Sequence, residues 1–198
     1  MSERKQVIIL RGSPRKQGNT NWLTDIVAAS MEKAGCFVRS FDLYDMTILP
    51  CLACRNCQKD QTQPHCIRND DMQTIFREVL TSDLIMLASP VYSWYCTPPV
   101  KAALDRMVYA MNKFYGAEKG PALWAGKSLA LITTCGYRPE KGADLFEEGM
   151  KRYCKHSSLV YRGMLCERHL GYQIPFPDEE KQAHAAVFAD ALLREPVI

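Results

Sequence analysis

Short apolar runs alternate with longer amphipathic segments along most of the chain. The apolar runs predict five strands, which cover residues 7–10, 37–43, 83–88, 128–133 and 159–165. In the amphipathic segments, apolar residues recur three and four positions apart. They predict five helices, which cover residues 22–34, 70–80, 97–111, 142–156 and 178–194, and leave a loop at 112–123. Strands that alternate with helices indicate an α/β fold with a parallel sheet.

The number and spacing of these elements fit a doubly wound sheet of five parallel strands in the order 2-1-3-4-5, with helices on both faces. Sheets of this kind bind ligands in a crevice at the carboxyl ends of their strands. The segments that follow the first, third and fourth predicted strands therefore hold the first candidates for functional residues.

A polar turn, G-S-P-R-K-Q-G-N-T at 12–20, connects the first strand to the first helix. Its hydroxyls and backbone N–H groups lie at the positive end of a helix, which suits a phosphate monoester held without a metal. The turn lacks the lysine of a nucleotide-triphosphate loop, because Asn19 stands in its place, and it lacks the G-x-G-x-x-G of a dinucleotide site. One terminal phosphate is the predicted ligand. The alternative is that these residues only turn the chain and cap the helix.

Two later loops add aromatic residues to the same predicted edge. The third strand ends in S-P-V-Y-S-W-Y at 89–95, and the fourth ends in T-C-G-Y at 134–137. Aromatic side chains at strand ends suit a planar ligand. A ligand that joins a phosphate to a planar ring would contact all three loops.

These motifs, together with K-x-x-x-D-R at 101–106, resemble those of the flavodoxin-like FMN reductases, in particular the branch called iron-sulfur flavoproteins. The resemblance spans most of the chain. It implies one flavodoxin-like, FMN-binding domain over residues 1–198, in which the first loop binds the FMN phosphate and the other two flank the isoalloxazine ring. The binding residues it implies are Ser13, Arg15, Gly18, Asn19, Thr20, Pro90, Val91, Tyr92, Ser93, Trp94, Thr134, Cys135, Gly136 and Tyr137.

A cysteine-rich loop at 50–67 holds Cys51, Cys54, Cys57 and Cys66, four of the nine cysteines in the chain. Three cysteines at successive two-residue gaps are typical of the run that wraps a [4Fe–4S] cluster, with a fourth ligand from further away. The iron-sulfur flavoproteins carry a similar C-x2-C-x2-C motif. The gap of eight residues before Cys66 is longer than in that family, and His65 competes as the fourth ligand. A zinc site and free thiols are the alternatives.

Composition excludes several other classes of protein. A chain of 198 residues that is 47% hydrophobic fits one core of ordinary size. The net charge of +3 comes from scattered basic residues, so no nucleic-acid partner is expected. The apolar run after residues 1–6 is too short for a signal peptide, and no stretch is long enough to cross a membrane. We therefore expect a cytoplasmic protein, where a reducing environment favours cysteines as metal ligands.

The sequence thus predicts an FMN-dependent oxidoreductase that passes electrons through FMN and a [4Fe–4S] cluster. No protein side chain is predicted to be catalytic, because the cofactor carries the chemistry. The electron donor would be NAD(P)H or ferredoxin, the acceptor a small molecule or a protein, and the resemblance implies a homodimer or tetramer. Two alternatives stay open: a cluster-free, NAD(P)H-dependent reductase of FMN, quinones or azo compounds, and a non-enzymatic, flavodoxin-like electron carrier.

Overall fold

The computed structural model describes residues 4–194, so the ends of the predicted domain, including Met1, Ser2 and Glu3 of the amino-terminal segment, lie outside the described residues. The strands are β1 (Gln6–Arg11), β2 (Phe37–Asp42), β3 (Leu84–Pro90), β4 (Ser128–Cys135) and β5 (Val160–Arg168). The helices are α1 (Asn19–Lys33), α2 (Met72–Thr81), α3 (Pro98–Met111), α4 (Pro139–Gly142), α5 (Asp144–His156) and α6 (Glu179–Arg194), with a 3-10 turn at Asn56–Gln58.

All five strands pair in parallel in the order β2-β1-β3-β4-β5, which confirms the predicted flavodoxin-like topology. Successive residues of β1 alternate between two cores: Ile8 and Leu10 pack with α2, α3 and α5, whereas Val7 and Ile9 pack with α1 and α6. Helices therefore cover both faces of the sheet. Because the central strands are buried on both sides, they read in the sequence as continuous apolar runs rather than as alternating ones.

Several predicted boundaries differ from the structure, and three elements differ most. Helix α1 begins at Asn19 rather than at residue 22, because the amide of Trp22 donates to Gly18 O at 3.0 Å and closes a turn whose residues are polar. The predicted helix 142–156 corresponds to α5, which begins at Asp144, and the separate turn α4 (Pro139–Gly142) precedes it, so residues 4–194 contain six α-helices rather than five. Strand β5 continues to Arg168, three residues beyond its predicted end.

The predicted loop at 112–123 is ordered by its own backbone. Asn112 and Ala122 form an isolated antiparallel bridge, and the amide of Lys113 donates to Pro121 O at 2.9 Å. Between residues 4 and 194, no helix has both the length and the apolar character required to cross a bilayer.

A buried ion pair fastens the chain after β2 to α3. Arg106 Nη1 lies 2.5 Å from Asp70 Oδ2, and the two side chains are only 1% and 4% exposed. The same guanidinium donates to Leu49 O at 3.3 Å and to Cys66 Sγ at 3.4 Å. The pair thus anchors both ends of the cysteine-rich loop.

The ion pair also makes stability depend on pH. Burial raises the pKa of the Asp70 carboxyl, but hydrogen bonds from Arg106 and the amide of Leu49 outweigh it, so the pKa lies below its ordinary value. A carboxyl with a lowered pKa in the folded chain contributes stability above its unfolded pKa of about 3.9. That contribution is lost as the pH falls below this value toward the folded pKa.

We expect Asp70→Asn to lower the free energy of unfolding by about 3–5 kcal/mol at pH 7, because it leaves the Arg106 cation buried without its carboxylate. The variant should also lose less stability than the wild type between about pH 5 and pH 2, because it has no carboxyl at position 70 to take up a proton there. Urea unfolding at several pH values measures both effects. Asp105→Asn is the control, because its pair with Lys101 is exposed and worth at most about 1 kcal/mol. Equal losses in the two variants would contradict the prediction.

Candidate functional site

The carboxyl ends of β1, β3 and β4 open into a cavity of about 330 Å³, referred to below as the main cavity. Ten of the fourteen predicted binding residues line it: Ser13, Arg15, Asn19, Thr20, Pro90, Val91, Tyr92, Thr134, Cys135 and Gly136. A side cavity of about 140 Å³ contains Ser93, Trp94 and Tyr137, and it shares Val91, Cys135 and Gly136 with the main cavity. Gly18 is buried and is not among the residues that line either cavity.

Close packing against α3 positions the loop after β1. The amide of Gly12 donates to Ala88 O at 2.7 Å, and Thr97 Oγ1 donates to Gly12 O at 2.7 Å. A Cβ atom at Gly12 would lie only 2.1 Å from Cγ2 of Val100. Glycine is therefore required for the loop to approach the first turn of α3.

Short-range hydrogen bonds then shape the loop into a cradle. Asn21 Nδ2 donates to the carbonyl oxygens of Arg15 and Lys16, at 3.3 and 3.0 Å. Ser13 Oγ accepts from the amide of Arg15 at 3.3 Å, and the amide of Gly18 donates to Arg15 O at 2.9 Å. A Cβ atom at Gly18 would lie 3.0 Å from Arg15 O. Gly18 thus acts behind the cradle, by allowing its tight closure.

The amino terminus of α1 faces this cradle and suits an anion. Its N-cap residue, Gly18, makes no side-chain capping bond, and its first turn holds no acidic residue. The first backbone N–H groups of a helix have no partner within the helix, and the helix dipole adds positive potential there. Ser13 and Thr20 contribute hydroxyl groups, and Arg15 contributes an exposed cation.

Hydroxyl groups join the three strand ends into one framework. Thr20 Oγ1 and Thr134 Oγ1 lie 2.7 Å apart and are buried, which ties α1 to β4. Thr133 Oγ1 donates to Ser89 O at 2.6 Å, and Ser89 Oγ accepts from the amide of Thr97 at 3.0 Å. These contacts hold the walls of the main cavity in fixed relative positions.

A strained turn presents an aromatic side chain at the side cavity. Ser93 and Trp94 have φ angles of 49° and 61°, which non-glycine residues adopt only when the surroundings impose them. Two backbone hydrogen bonds between Tyr92 and Tyr95, at 2.8 and 3.0 Å, close the turn. The ring of Trp94 stacks on that of Tyr137 with centroids 6.1 Å apart and an angle of 15° between their planes. Such retained strain is typical of ligand-binding sites.

Sequence reasoning missed three residues of the main cavity, Pro14, His169 and Tyr172. His169 and Tyr172 follow β5, and the amide of His169 donates to Cys135 O at 3.0 Å. Because β5 was predicted to end at residue 165, the segment after it was not assigned to the cavity edge. The H-L-G-Y sequence at 169–172 is a signal that could have found them, since it repeats the glycine and tyrosine of the T-C-G-Y loop at 134–137.

The four predicted ligands Cys51, Cys54, Cys57 and Cys66 line one small concavity of about 20 Å³ beside Arg106 and Tyr109 of α3. We call it the cysteine site. All nine cysteines lie within residues 4–194, and none forms a disulfide. His65, the competing fourth ligand, is exposed and is absent from the lining.

Three of these four sulfur atoms accept N–H hydrogen bonds. The donors are the amide of Ala53 to Cys51 at 3.4 Å, Arg106 Nη2 to Cys66 at 3.4 Å, and Gln58 Nε2 to Cys57 at 3.7 Å. Ala53 and Arg55 have φ angles of 52° and 55°, which bend the loop around the concavity. Within the part of the chain that the structure describes, no three His, Cys, Asp or Glu side chains converge on a position for a single metal ion.

Burial raises the pKa of the Cys57 thiol, although the hydrogen bond from Gln58 opposes that rise. Cys96, near the second loop, is buried and has a pKa raised by burial to about 12, as expected for a packing residue.

Cys135, which lines the main cavity, has a lowered pKa instead. The thiol of Cys166, 3.7 Å away, lowers the pKa of Cys135, and Arg168 acts in the same direction.

Comparison with known proteins gives several relatives named iron-sulfur flavoproteins. One from Archaeoglobus fulgidus is 35% identical over 97 residues, which are 49% of this chain and 43% of that protein. One from Methanosarcina thermophila is 32% identical over 124 residues, 60% of this chain and 62% of that protein. The matches to the first relatives span about half of those proteins' length.

Solved structures confirm the fold. One is an NAD(P)H:quinone oxidoreductase from Methanothermobacter marburgensis, which superposes with a TM-score of 0.67 and 17% sequence identity. The alignment covers 98% of this chain and 98% of that protein. Another is the azoreductase AzrA, which superposes with a TM-score of 0.68 and 17% sequence identity; the alignment covers 95% of this chain and 98% of that protein. The model of one family, described as NADPH-dependent FMN reductase, matches residues 6–145. Because this match covers more than half of the chain, the protein belongs to the NADPH-dependent FMN reductase family.

Proposed function

We propose that the protein is an FMN-dependent oxidoreductase in which FMN lies in the main cavity and a [4Fe–4S] cluster lies in the cysteine site. The observation that carries the proposal is the convergence of three strand-end loops on one cavity that starts at the uncapped amino terminus of α1. This arrangement offers a phosphate cradle at one end and aromatic walls at the other.

The cradle fits the phosphate of FMN. A phosphate monoester carries two negative charges near neutral pH and accepts several hydrogen bonds. The backbone N–H groups of α1, the hydroxyls of Ser13 and Thr20 and the cation of Arg15 would supply donors and positive charge without a metal. The other residues that line the main cavity would surround the ribityl group and the isoalloxazine ring of FMN.

The protein's own residues would bind and orient the ring and exclude water from it. Tyr92 lies beside the main cavity, and the stacked pair Trp94 and Tyr137 lies beside the side cavity. When bound, FMN accepts a hydride or a pair of electrons and releases them singly or in pairs. The buried hydroxyl framework of Thr20, Thr133 and Thr134 would keep these walls in place.

The cysteine site fits a cluster better than it fits zinc. Zinc needs four ligands at about 2.0–2.3 Å from one point, and no such convergence occurs within residues 4–194. A cluster distributes its four thiolate ligands over four iron atoms, and its sulfur ligands accept N–H hydrogen bonds. Cys51, Cys54, Cys57 and Cys66 share one concavity, and three of them already accept such bonds. The cluster would supply one-electron redox chemistry.

Family membership favours a nicotinamide donor, and a cluster would also allow ferredoxin. Four further points stay predictions from the sequence: the electron acceptor, the single domain over residues 1–198, the homodimer or tetramer, and the cytoplasmic location.

The second candidate function is a cluster-free NAD(P)H-dependent reductase of FMN, quinones or azo compounds. This second function is favoured because two proteins of similar structure are a quinone oxidoreductase and an azoreductase. An electron carrier without enzymatic activity is weakest, because such carriers are typically acidic and this chain has a net charge of +3.

Thr20→Val should weaken FMN binding about 10- to 100-fold, because a hydrogen bond to a charged group contributes about 1.5–3 kcal/mol. The affinity for riboflavin, which lacks the phosphate, should fall much less, because only the contact of Thr20 with Thr134 is lost to it. Quenching of flavin fluorescence by the apoprotein measures both affinities. Thr24→Val is the matched control, since Thr24 is buried one turn further along α1 and does not line the cavity. An equal loss for riboflavin would place Thr20 away from the phosphate.

Protein purified without oxygen should contain about four iron and four acid-labile sulfide per chain, the content of one four-iron cluster. Cys66→Ala should lose most of this iron and keep FMN, because Cys66 is a predicted ligand and lies outside the main cavity. Cys36→Ala, a change at a buried cysteine in the opposite core, should keep both. The visible spectrum and metal analysis measure these contents. Wild-type protein with FMN and no iron would contradict the cluster and favour the second candidate function instead.

A further inference from the structure

Lys113 is a fully buried cation beneath the cysteine-rich loop. Its side chain is 0% exposed, and its Nζ donates to Cys57 O at 2.7 Å and to Gln63 O at 2.8 Å. Among the residues of the described chain, 4–194, no carboxylate oxygen lies within 4.0 Å of this Nζ. Burying an ammonium group away from water costs several kcal/mol unless opposite charge compensates for it.

Arg106, the other buried cation of this region, provides the contrast. Its guanidinium is neutralised by Asp70 at 2.5 Å and also donates to Cys66 Sγ. Arg106 and Lys113 therefore hold the loop at two of its four cysteines, but only Arg106 has a carboxylate partner. Lys113 is thus buried with carbonyl oxygens as the hydrogen-bond partners of its Nζ, and the carboxylate of Asp60 acts on it only from beyond ion-pair distance.

The backbone around Lys113 is held rigidly, so this charge has a defined position. The amide of Lys113 donates to Pro121 O at 2.9 Å. In the neighbouring Asn112 side chain, Nδ2 donates to Ser157 Oγ at 2.9 Å, and Oδ1 accepts from Trp124 Nε1 at 2.8 Å. Gln58 Nε2 adds a bond to Asn112 O at 3.0 Å. These contacts hold in place the backbone from which the Lys113 side chain projects.

We propose that Lys113 is the positioning and charge-balancing residue of the cysteine site, and that it compensates for the negative charge of cysteine thiolates and the cluster they bind. This inference rests on the proposed cluster. Cysteines that bind metal are deprotonated, so four thiolates around a cluster core place net negative charge beside a lysine whose Nζ bonds only carbonyl oxygens. In a medium of low dielectric constant, a fixed positive charge stabilises the more negative of two redox states. Reduction of the cluster adds one electron and no proton, so Lys113 favours the reduced cluster without changing its own charge.

The test compares three variants in the protein reconstituted with iron and sulfide. Lys113→Met removes both the charge and the N–H donors, whereas Lys113→Gln removes the charge and keeps donors for the two carbonyl oxygens. Lys127→Met is the control, because Lys127 is a partly buried lysine whose Nζ donates to Ser82 O, at the amino end of β4. The measured quantity is the midpoint reduction potential of the cluster in an anaerobic titration.

We expect both Lys113 variants to shift the reduction equilibrium against the reduced cluster at least tenfold, which corresponds to about 59 mV for one electron. Lys127→Met should match the wild type. A purely structural role for Lys113 would not lower the potential in Lys113→Gln, and a wild-type potential in both Lys113 variants would overturn the inference. If Lys113→Met fails to fold, Lys113→Gln alone decides.

A second readout does not require the cluster. In apoprotein, a thiol reagent should label Cys57 faster in Lys113→Met than in the wild type, because the loop loses its contact at Cys57 O. Equal labelling rates would overturn the positioning part of the inference. Failure of the proposed function looks different, since it appears as wild-type protein that binds FMN without iron, before any lysine is changed.

Discussion

Burial of the sheet on both faces is the constraint on which the rest of this structure depends. Strands β3 and β4 are buried along nearly their whole length, so their side chains pack with helices on one face or the other. Polar groups in the middle of such strands would lack partners. The hydroxyl and loop residues that can hold a ligand are therefore displaced to the carboxyl ends, where Thr133 donates to Ser89 O and Thr134, which pairs with Thr20, lines the main cavity.

Helix α3 links that opening to the cysteine site. Its first turn packs so closely on the loop after β1 that no side chain fits at Gly12, and its later turns carry Arg106, which binds Asp70 and Cys66. The residues that follow the helix place Lys113 beneath Cys57. One rigid element thus sets the shape of both candidate cofactor sites, and a displacement of α3 would disturb both together.

The two sites use buried polar groups in different ways. Around the main cavity, uncharged hydroxyls and backbone groups pair with one another, and positive potential comes from the helix terminus. Around the cysteine site, full charges are buried, one in an ion pair and one with carbonyl oxygens only. The first arrangement suits an anionic ligand, whereas the second leaves a buried positive charge that a bound anionic group would compensate.

The sequence by itself determined the strands and the three loops that follow them, because these depend on local periodicity and turn residues. The order of the strands was expected only from the fit of these elements to a known doubly wound fold. It did not determine where α1 starts, since the first turn is polar and has no apolar period to reveal it. His169 and Tyr172 reach the main cavity only because β5 extends beyond its apolar run and returns the chain to that edge. The tertiary structure also decided that Cys66 rather than His65 lies in the cysteine site, and that Lys113 is buried, because both depend on packing against α3 and contacts between residues far apart in the chain.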